Sequence, residues 1–192
     1  MALPQLWLVR HGQTEWSASG RHTGRTDLPL DDIGRQQARD LGPTLAGLPV
    51  ALVLTSPLQR ASETCTLAGY GDRAVVDDDL QEWDYGGYDG LTTDEIRATR
   101  PEWTLWRDGC PGGETARQVG ARADRVIGRV RGAASGDAIA FAHGHLLRVL
   151  AARWIGLGPE AGALLALTTA TVSLLGWERE QAVVRRWNVD PA

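Results

Sequence analysis

Four side chains of this 192-residue chain combine the right chemistry with the right placement to handle an anion. Arg10 and His11 close the apolar run Leu6-Trp7-Leu8-Val9, and Gly12 follows. His143 closes Ala138-Ile139-Ala140-Phe141-Ala142, and Gly144 follows. Arg60 comes just after Ala51-Leu52-Val53-Leu54 and the turn at Ser56-Pro57. Short apolar runs bounded by turn formers read as buried strands, and in open α/β sheets ligands bind at the carboxyl ends of such strands. One crevice could therefore gather all four. Guanidinium forks match phosphoryl oxygens bidentately, and a helix opening after His143 adds backbone N–H donors, so the guest that fits is a phosphoryl group. A neutral imidazole can attack phosphorus and split one hard hydrolysis into two easier transfers.

The departing oxygen then needs a proton. Glu82 is the candidate donor and Asp84 its rival, both in the stretch 80–90 where acid, aromatic and glycine interleave. A carboxyl group beside anionic phosphate is favoured in its protonated form, which suits a general acid. His22 and His145 are each open to a structural or a substrate-contacting reading, and His145 can simply cap its helix. A metal held by His11, His143 and His145 would also ask for a carboxylate ligand and outer partners, so none is expected.

The elements that must position these groups follow from periodicity. A third short strand is expected near Ala74–Val76, and a helix opens at Asp31 or Asp32 with Ile33, Ala38, Leu41 and Leu45 on one side, although Pro43 should kink it or end it early. Ser56 reads as the N-cap of the next helix, with Pro57 at the first helical position and Gln59 completing a capping box. Leu58, Ala61, Cys65 and Ala68 supply its buried stripe. Thr92-Thr93-Asp94-Glu95 opens a short helix that must stop before Pro101. The stretch 103–113 reads as an aromatic-rich loop, with Trp103, Trp106 and Arg107 either a lid over the site or ordinary packing. A longer helix runs from about Glu114 to Arg131, turning Val119, Ala123, Val126 and Val130 inward and Arg122, Arg125 and Arg129 out to solvent. A further helix covers His145 to Ile155, and Thr171–Trp177 with Ala182–Trp187 forms a closing hairpin. Alternating strands and helices imply an α/β three-layer sandwich with a mainly parallel central sheet and helices on both faces, and one domain over 1–192.

Composition excludes several function classes. The net charge is -4 and all 20 basic residues are arginine. No basic surplus points to nucleic acid or an anionic membrane, and the lack of lysine excludes Schiff-base and P-loop lysine chemistry. No run of 18 apolar residues occurs, so a soluble, cytoplasmic protein is expected, and a homo-oligomer is compatible with the sequence. Cys65 and Cys110 are too few and too far apart for a structural zinc site, and Cys65 belongs to a core stripe.

These residues resemble the histidine phosphatase superfamily, also called phosphoglycerate mutase-like, over essentially the whole chain. The resemblance rests on Arg10-His11-Gly12, on the block from Ser56-Pro57-Leu58-Gln59-Arg60 to Thr64, on Glu82 before a glycine-rich aromatic turn, and on Phe141-Ala142-His143-Gly144-His145. It implies His11 as the nucleophile that becomes phosphohistidine, with Arg10, Arg60 and His143 holding the phosphoryl oxygens. Glu82 then serves as proton donor and later as base for water, with no metal and no cofactor. Substrate contacts are expected from Ser17, Thr23, Gly24, Arg107 and Gly144, with Arg107 and Arg21 as candidates for a second phosphate. Within the family the motifs look most like sugar bisphosphatases acting on sedoheptulose 1,7-bisphosphate and related bacterial acid phosphatases. Cofactor-dependent mutases of the family carry a longer insertion after the acid, with a lysine and paired arginines. Here Glu82 to Glu114 is short and lysine-free. A phosphatase for small phosphorylated metabolites is therefore expected. Phosphoglycerate mutase is the alternative, and a silent phosphate-binding module is disfavoured by the intact residue set.

Overall fold

Each apolar run that ends in a candidate residue is a strand, and the register of these strands decides where the candidates meet. The computed structural model describes residues 3–133 and 136–191; Met1, Ala2, Ala134, Ser135 and Ala192 lie outside the described residues. In chain order the elements are β1 (Leu6–Arg10), α1 (Glu15–Ala18), α2 (Asp32–Leu45), β2 (Val50–Thr55), α3 (Gln59–Leu67), β3 (Ala74–Val76), α4 (Thr93–Thr99), α5 (Leu105–Asp108), α6 (Ala116–Gly132), β4 (Asp137–Ala142), α7 (Gly144–Trp154), β5 (Val172–Glu178) and β6 (Gln181–Val189), with short 3-10 turns between. Among the described residues one six-stranded sheet forms in the order β3-β2-β4-β1-β5-β6. The first four of these strands run parallel, while β5 is antiparallel to β1 and β6 to β5, so the sheet is mainly parallel with a hairpin at one edge.

Strand alternation sorts the apolar residues onto two faces. Leu6, Leu8, Ala138, Ala140 and Ala142 pack against α6 and α7 through Val119, Ala123, Val126, Val130, Leu147 and Leu150. Val9, Val53, Ile139 and Phe141 point the other way, onto Leu41, Leu45 and Cys65 of α2 and α3. Helices therefore cover both faces, and the three-layer α/β architecture is as expected.

Five local expectations are corrected. Helix α2 continues through Pro43 to Leu45, because the proline falls in the last turn and the burial of Leu41 and Leu45 holds that turn in place. Ile33 is 58% exposed, and Gly34 takes the inward position. Its neighbour is the backbone of Gln13, only 2.0 Å from where a Cβ would stand, so the chain leaving β1 demands glycine there. Helix α3 starts at Gln59 with Leu58 as N-cap, its first N–H capped by Asp27 from the preceding loop, since Ser56 is engaged with His143. The row on α6 is solvated at Arg125 and Arg129, which stay exposed, and not at Arg122. Arg122 is buried against Glu114, while Arg125 and Arg129 pair with Asp77 and Asp79, so the acidic run there meets its counter-charge across the fold. The stretch 103–113 also contains the single turn α5, capped by Thr104.

Candidate active site

The register Arg10↔Ala142 between β1 and β4 makes His11 and His143 the next residue on each of two adjacent parallel strands. They therefore emerge side by side, with ring centroids 5.2 Å apart and planes tilted by 57°. Strand β2 is aligned with them through Thr55↔Phe141, which brings Ser56 and the first turn of α3, with Arg60, to the same edge.

His11 is nearly buried, and its Nδ1 lies 2.7 Å from the carbonyl oxygen of Gly12. A carbonyl only accepts, so Nδ1 carries the proton and Nε2 is left with a free lone pair. Burial, followed by the charges of Arg60 and Arg10, holds the His11 imidazole well below its usual range, which keeps it neutral and nucleophilic. Arg10 gives one Nη1 bond to the carbonyl of Leu167, while its Nε is buried with no protein partner. A buried donor without an acceptor is uncommon and marks a position where a ligand oxygen is wanted.

Glu82 reaches the N-terminus of α7. Its Oε1 accepts from the backbone N–H of Trp83 at 2.8 Å and of Leu146 at 2.9 Å, and Oε2 accepts from His145 N–H at 3.0 Å. The helix after His143 is thus capped from a distant part of the chain, and not by the His145 side chain. Of the four lone-pair positions on a carboxylate, the one without a protein donor is on Oε2. Arg122 fixes the segment from behind by donating to the carbonyls of Asp79, Gln81 and Glu82. Asp84 is occupied otherwise, accepting from Gly86 N–H and facing Arg25, so it is not placed as the acid.

A cavity of about 180 Å³ opens over these groups, lined among others by Arg10, His11, Ser17, Thr23, Glu82 and Gly144. That volume suits a small metabolite, below the range of about 300–1,000 Å³ for drug-sized ligands. Arg60 and His143 are fully buried behind His11 and do not line it. Arg60 donates to His143 Nδ1 at 3.1 Å and to the carbonyls of Thr23, Gly24 and Thr26. Asp89 holds the same loop from its other side, accepting from Gly24 N–H, Thr26 N–H and the Thr26 hydroxyl. Gly24 therefore serves the site through the loop, between Arg60 and Asp89, without lining the cavity.

Arg107 is displaced from its expected place. Its guanidinium folds onto Asp108 and the carbonyl of Glu102 on the exposed side of α5, because the adjacent carboxylate is the nearer partner. Arg148 stands in the cavity wall instead, one helical turn after Gly144 on α7, stacked 4.6 Å over Trp106 and tied to the carbonyl of Gly162. The sequence signal for it is a single arginine inside the apolar run Leu146–Leu150, on the face that carries Gly144. Arg21 does line the cavity, but it is paired with both carboxylate oxygens of Glu95. His22, Tyr85 and His145 complete that side, with the Tyr85 hydroxyl 2.6 Å from His145 Nδ1. Trp103 is core packing rather than a lid, its indole N–H bonded to the carbonyl of Gly109.

Among the described residues no three His, Cys, Asp or Glu side chains gather in a way that could hold a metal ion. Burial pushes both thiols up to about 12, so neither Cys65 nor Cys110 supplies a thiolate. No helix of the described residues is long and apolar enough to cross a membrane.

Comparison with known proteins agrees with this geometry. The family profile "Histidine phosphatase superfamily (branch 1)" matches residues 6–190. An acid phosphatase of Mycobacterium tuberculosis is 41% identical over 177 residues, covering 91% of this chain and 87% of its own. Sedoheptulose 1,7-bisphosphatase of Saccharomyces cerevisiae is 43% identical over 189 residues, covering 82% and 69%. The solved structure of an open reading frame from Mycobacterium tuberculosis superposes with a TM-score of 0.94 at 38% identity, covering 98% of this chain and 99% of that one. With the profile matched from residue 6 to residue 190, the chain belongs to the histidine phosphatase superfamily.

Proposed function

We propose that this protein is a cytoplasmic phosphatase that removes phosphate from small phosphorylated metabolites, sugar phosphates or bisphosphates among them, by way of a phosphohistidine, and that residues 1–192 form one such domain. The observation that carries the reading is the tautomer of His11: Nδ1 is committed to Gly12, and the bare Nε2 belongs to a residue that lines a cavity beside the unpartnered Nε of Arg10. Nε2 attacks phosphorus and the P–O bond to the leaving group breaks, with Glu82 passing a proton to that oxygen. Water then attacks the phosphohistidine, Glu82 takes its proton, and phosphate and neutral His11 are regenerated.

Arg10 contributes its Nε–H to the phosphoryl oxygens, while Arg60 and His143, buried behind His11, act from behind it, Arg60 by its positive charge and His143 by fixing the wall beside the nucleophile. Backbone N–H groups at the start of α7 add a favourable field for the anion. Arg148, Thr23 and Ser17 face the remainder of the substrate. The names of the two relatives, an acid phosphatase and a sugar bisphosphatase, support this substrate class. The test is phosphate release, in excess chelator, from sugar bisphosphates, sugar monophosphates, 3-phosphoglycerate and an aryl phosphate, with His11→Ala as control. Turnover that His11→Ala abolishes is the expected result. Interconversion of phosphoglycerates that begins only on adding a bisphosphate primer would replace the reading with a mutase.

A further inference from the structure

Ser56 has the sequence position of a helix cap and does not act as one. Helix α3 takes no side-chain cap from its N-cap residue Leu58, and its first N–H, of Gln59, is accepted by Asp27 Oδ1 at 2.8 Å rather than by Ser56. The Ser56 hydroxyl oxygen lies instead 2.7 Å from His143 Nε2, and the backbone N–H of Leu58 also donates to it, at 3.3 Å. Its own backbone is pinned by an N–H bond to the carbonyl of Phe141, one residue beyond the last paired position of β2 and β4. The side chain is thus aimed from a fixed point.

The other edge of the His143 ring settles which nitrogen holds the proton. Arg60 Nε stands 3.1 Å from His143 Nδ1. A guanidinium only donates, so Nδ1 presents its lone pair; in the neutral ring the proton is then on Nε2, with Ser56 Oγ as its acceptor. Ser56, Arg60 and His143 are each fully buried, so solvent cannot take over either bond. His11 is held in the opposite sense, with Nδ1–H on Gly12 and Nε2 bare. Two imidazoles 5.2 Å apart therefore carry opposite tautomers, each imposed by a fixed partner.

We propose that Ser56 is a positioning residue for phosphoryl transfer, its hydroxyl oxygen holding His143 as the Nε2–H tautomer and fixing the ring beside His11. This rests on the reading of His143 as part of the phosphoryl site. Without Ser56 the buried Nε2–H loses its acceptor, and the ring is free to reorient in the wall next to the nucleophile. The effect falls on the transfer step and not on substrate capture, since neither side chain lines the cavity.

The experiment reads the ring nitrogens of ¹⁵N-labelled full-length protein by long-range proton–nitrogen correlation at pH 7.5, with His143→Gln to assign the signals. In the wild type, His143 is expected to show an unprotonated Nδ1 and a protected, slowly exchanging Nε2–H. Ser56→Ala is expected to lose that protected proton and to lower kcat about tenfold, equivalent to about 1.4 kcal/mol, with KM within about twofold. A wild-type His143 protonated on Nδ1 overturns the proposal even where Ser56→Ala fails to fold. So does a folded Ser56→Ala that keeps the protected proton, or that keeps the wild-type kcat. The tautomer is read without substrate, so a protein inactive toward every phosphate ester would sink the phosphatase reading while leaving the ring assignment to stand or fall by itself.

Discussion

Gly144 leaves room for the guanidinium of Arg10: a Cβ at position 144 would stand 3.3 Å from both Cζ and Nε of Arg10. That guanidinium is tied to the carbonyl of Leu167, so it has little freedom to move aside. Gly144→Ala is expected to lower kcat/KM about tenfold, equivalent to about 1.4 kcal/mol of transition-state binding. Its thermal midpoint should change little, because the conformational freedom that the unfolded chain loses with the glycine, worth about 0.4–1 kcal/mol, offsets the crowding. A parallel fall in stability and activity would show that the glycine serves folding rather than Arg10.

Glu82→Gln keeps the shape of the side chain and removes one acceptor, while three backbone N–H groups converge on the two oxygens. The amide nitrogen must face one of those donors, at a cost of about 1–3 kcal/mol in stability. The kinetic effect depends on the leaving group. A sugar phosphate, whose alkoxide needs a proton, should lose roughly 10²–10⁴ in rate, and an aryl phosphate with an acidic phenol much less. Equal losses for both esters would remove Glu82 from the role of proton donor.

His11, His143 and His145 are all held well below the ordinary imidazole value of 6.5, in each case by burial first and neighbouring arginines next. The sign follows from linkage. Between the depressed folded values and 6.5 the unfolded chain binds more protons than the folded one, so stability is fully present above pH 6.5 and is lost as the pH falls below it. Urea midpoints measured at pH 7.5 and 5.0 should differ, with the lower one at pH 5.0, and His145→Gln should reduce that difference. For the same reason kcat/KM should show no acid limb near 6.5, since His11 remains neutral there.

Arg122→Ala removes a buried guanidinium that pairs with both oxygens of Glu114 and holds the carbonyls of Asp79, Gln81 and Glu82. Glu114 would keep Asp84 N–H and the more distant Arg25 but lose its close cation, at a cost of about 3 kcal/mol, the lower end for broken buried pairs. Denaturant unfolding gives the stability change, and kcat measured on the remaining folded fraction should also fall, because the Glu82 backbone loses its support. Arg125→Ala, an exposed pair with Asp79, is the contrasting variant, with a loss below about 1 kcal/mol.

The strand ends and their histidines were legible because they depend on local pattern. Apolar runs halted by Arg10-His11-Gly12 and His143-Gly144 specify strands and turns without reference to the rest of the chain, and the parallel order follows from the helices between them. Glu82 could be chosen over Asp84 only through the family resemblance, since both lie in the same aperiodic stretch. The backbone N–H groups of His145 and Leu146 later distinguished them.

What the tertiary structure alone decided are the choices among partners distant in sequence. Ser56 has a local option as a cap, yet the strand register sets the His143 ring within 2.7 Å and the hydroxyl goes there. Arg122 has the helical phase of a surface residue, and it is buried because the segment of Asp79 to Glu82 is laid across it. Arg107 and Arg148 differ in the same way: one finds a carboxylate next door, while the other is carried on α7 into the cavity wall. Sequence by itself determined the elements and the chemistry at their ends, since side-chain type and periodicity act over a few residues. Which charges are buried, which proton sits on which nitrogen and which arginine faces the cavity depend on distances between segments that only the packed sheet and its two helical layers fix.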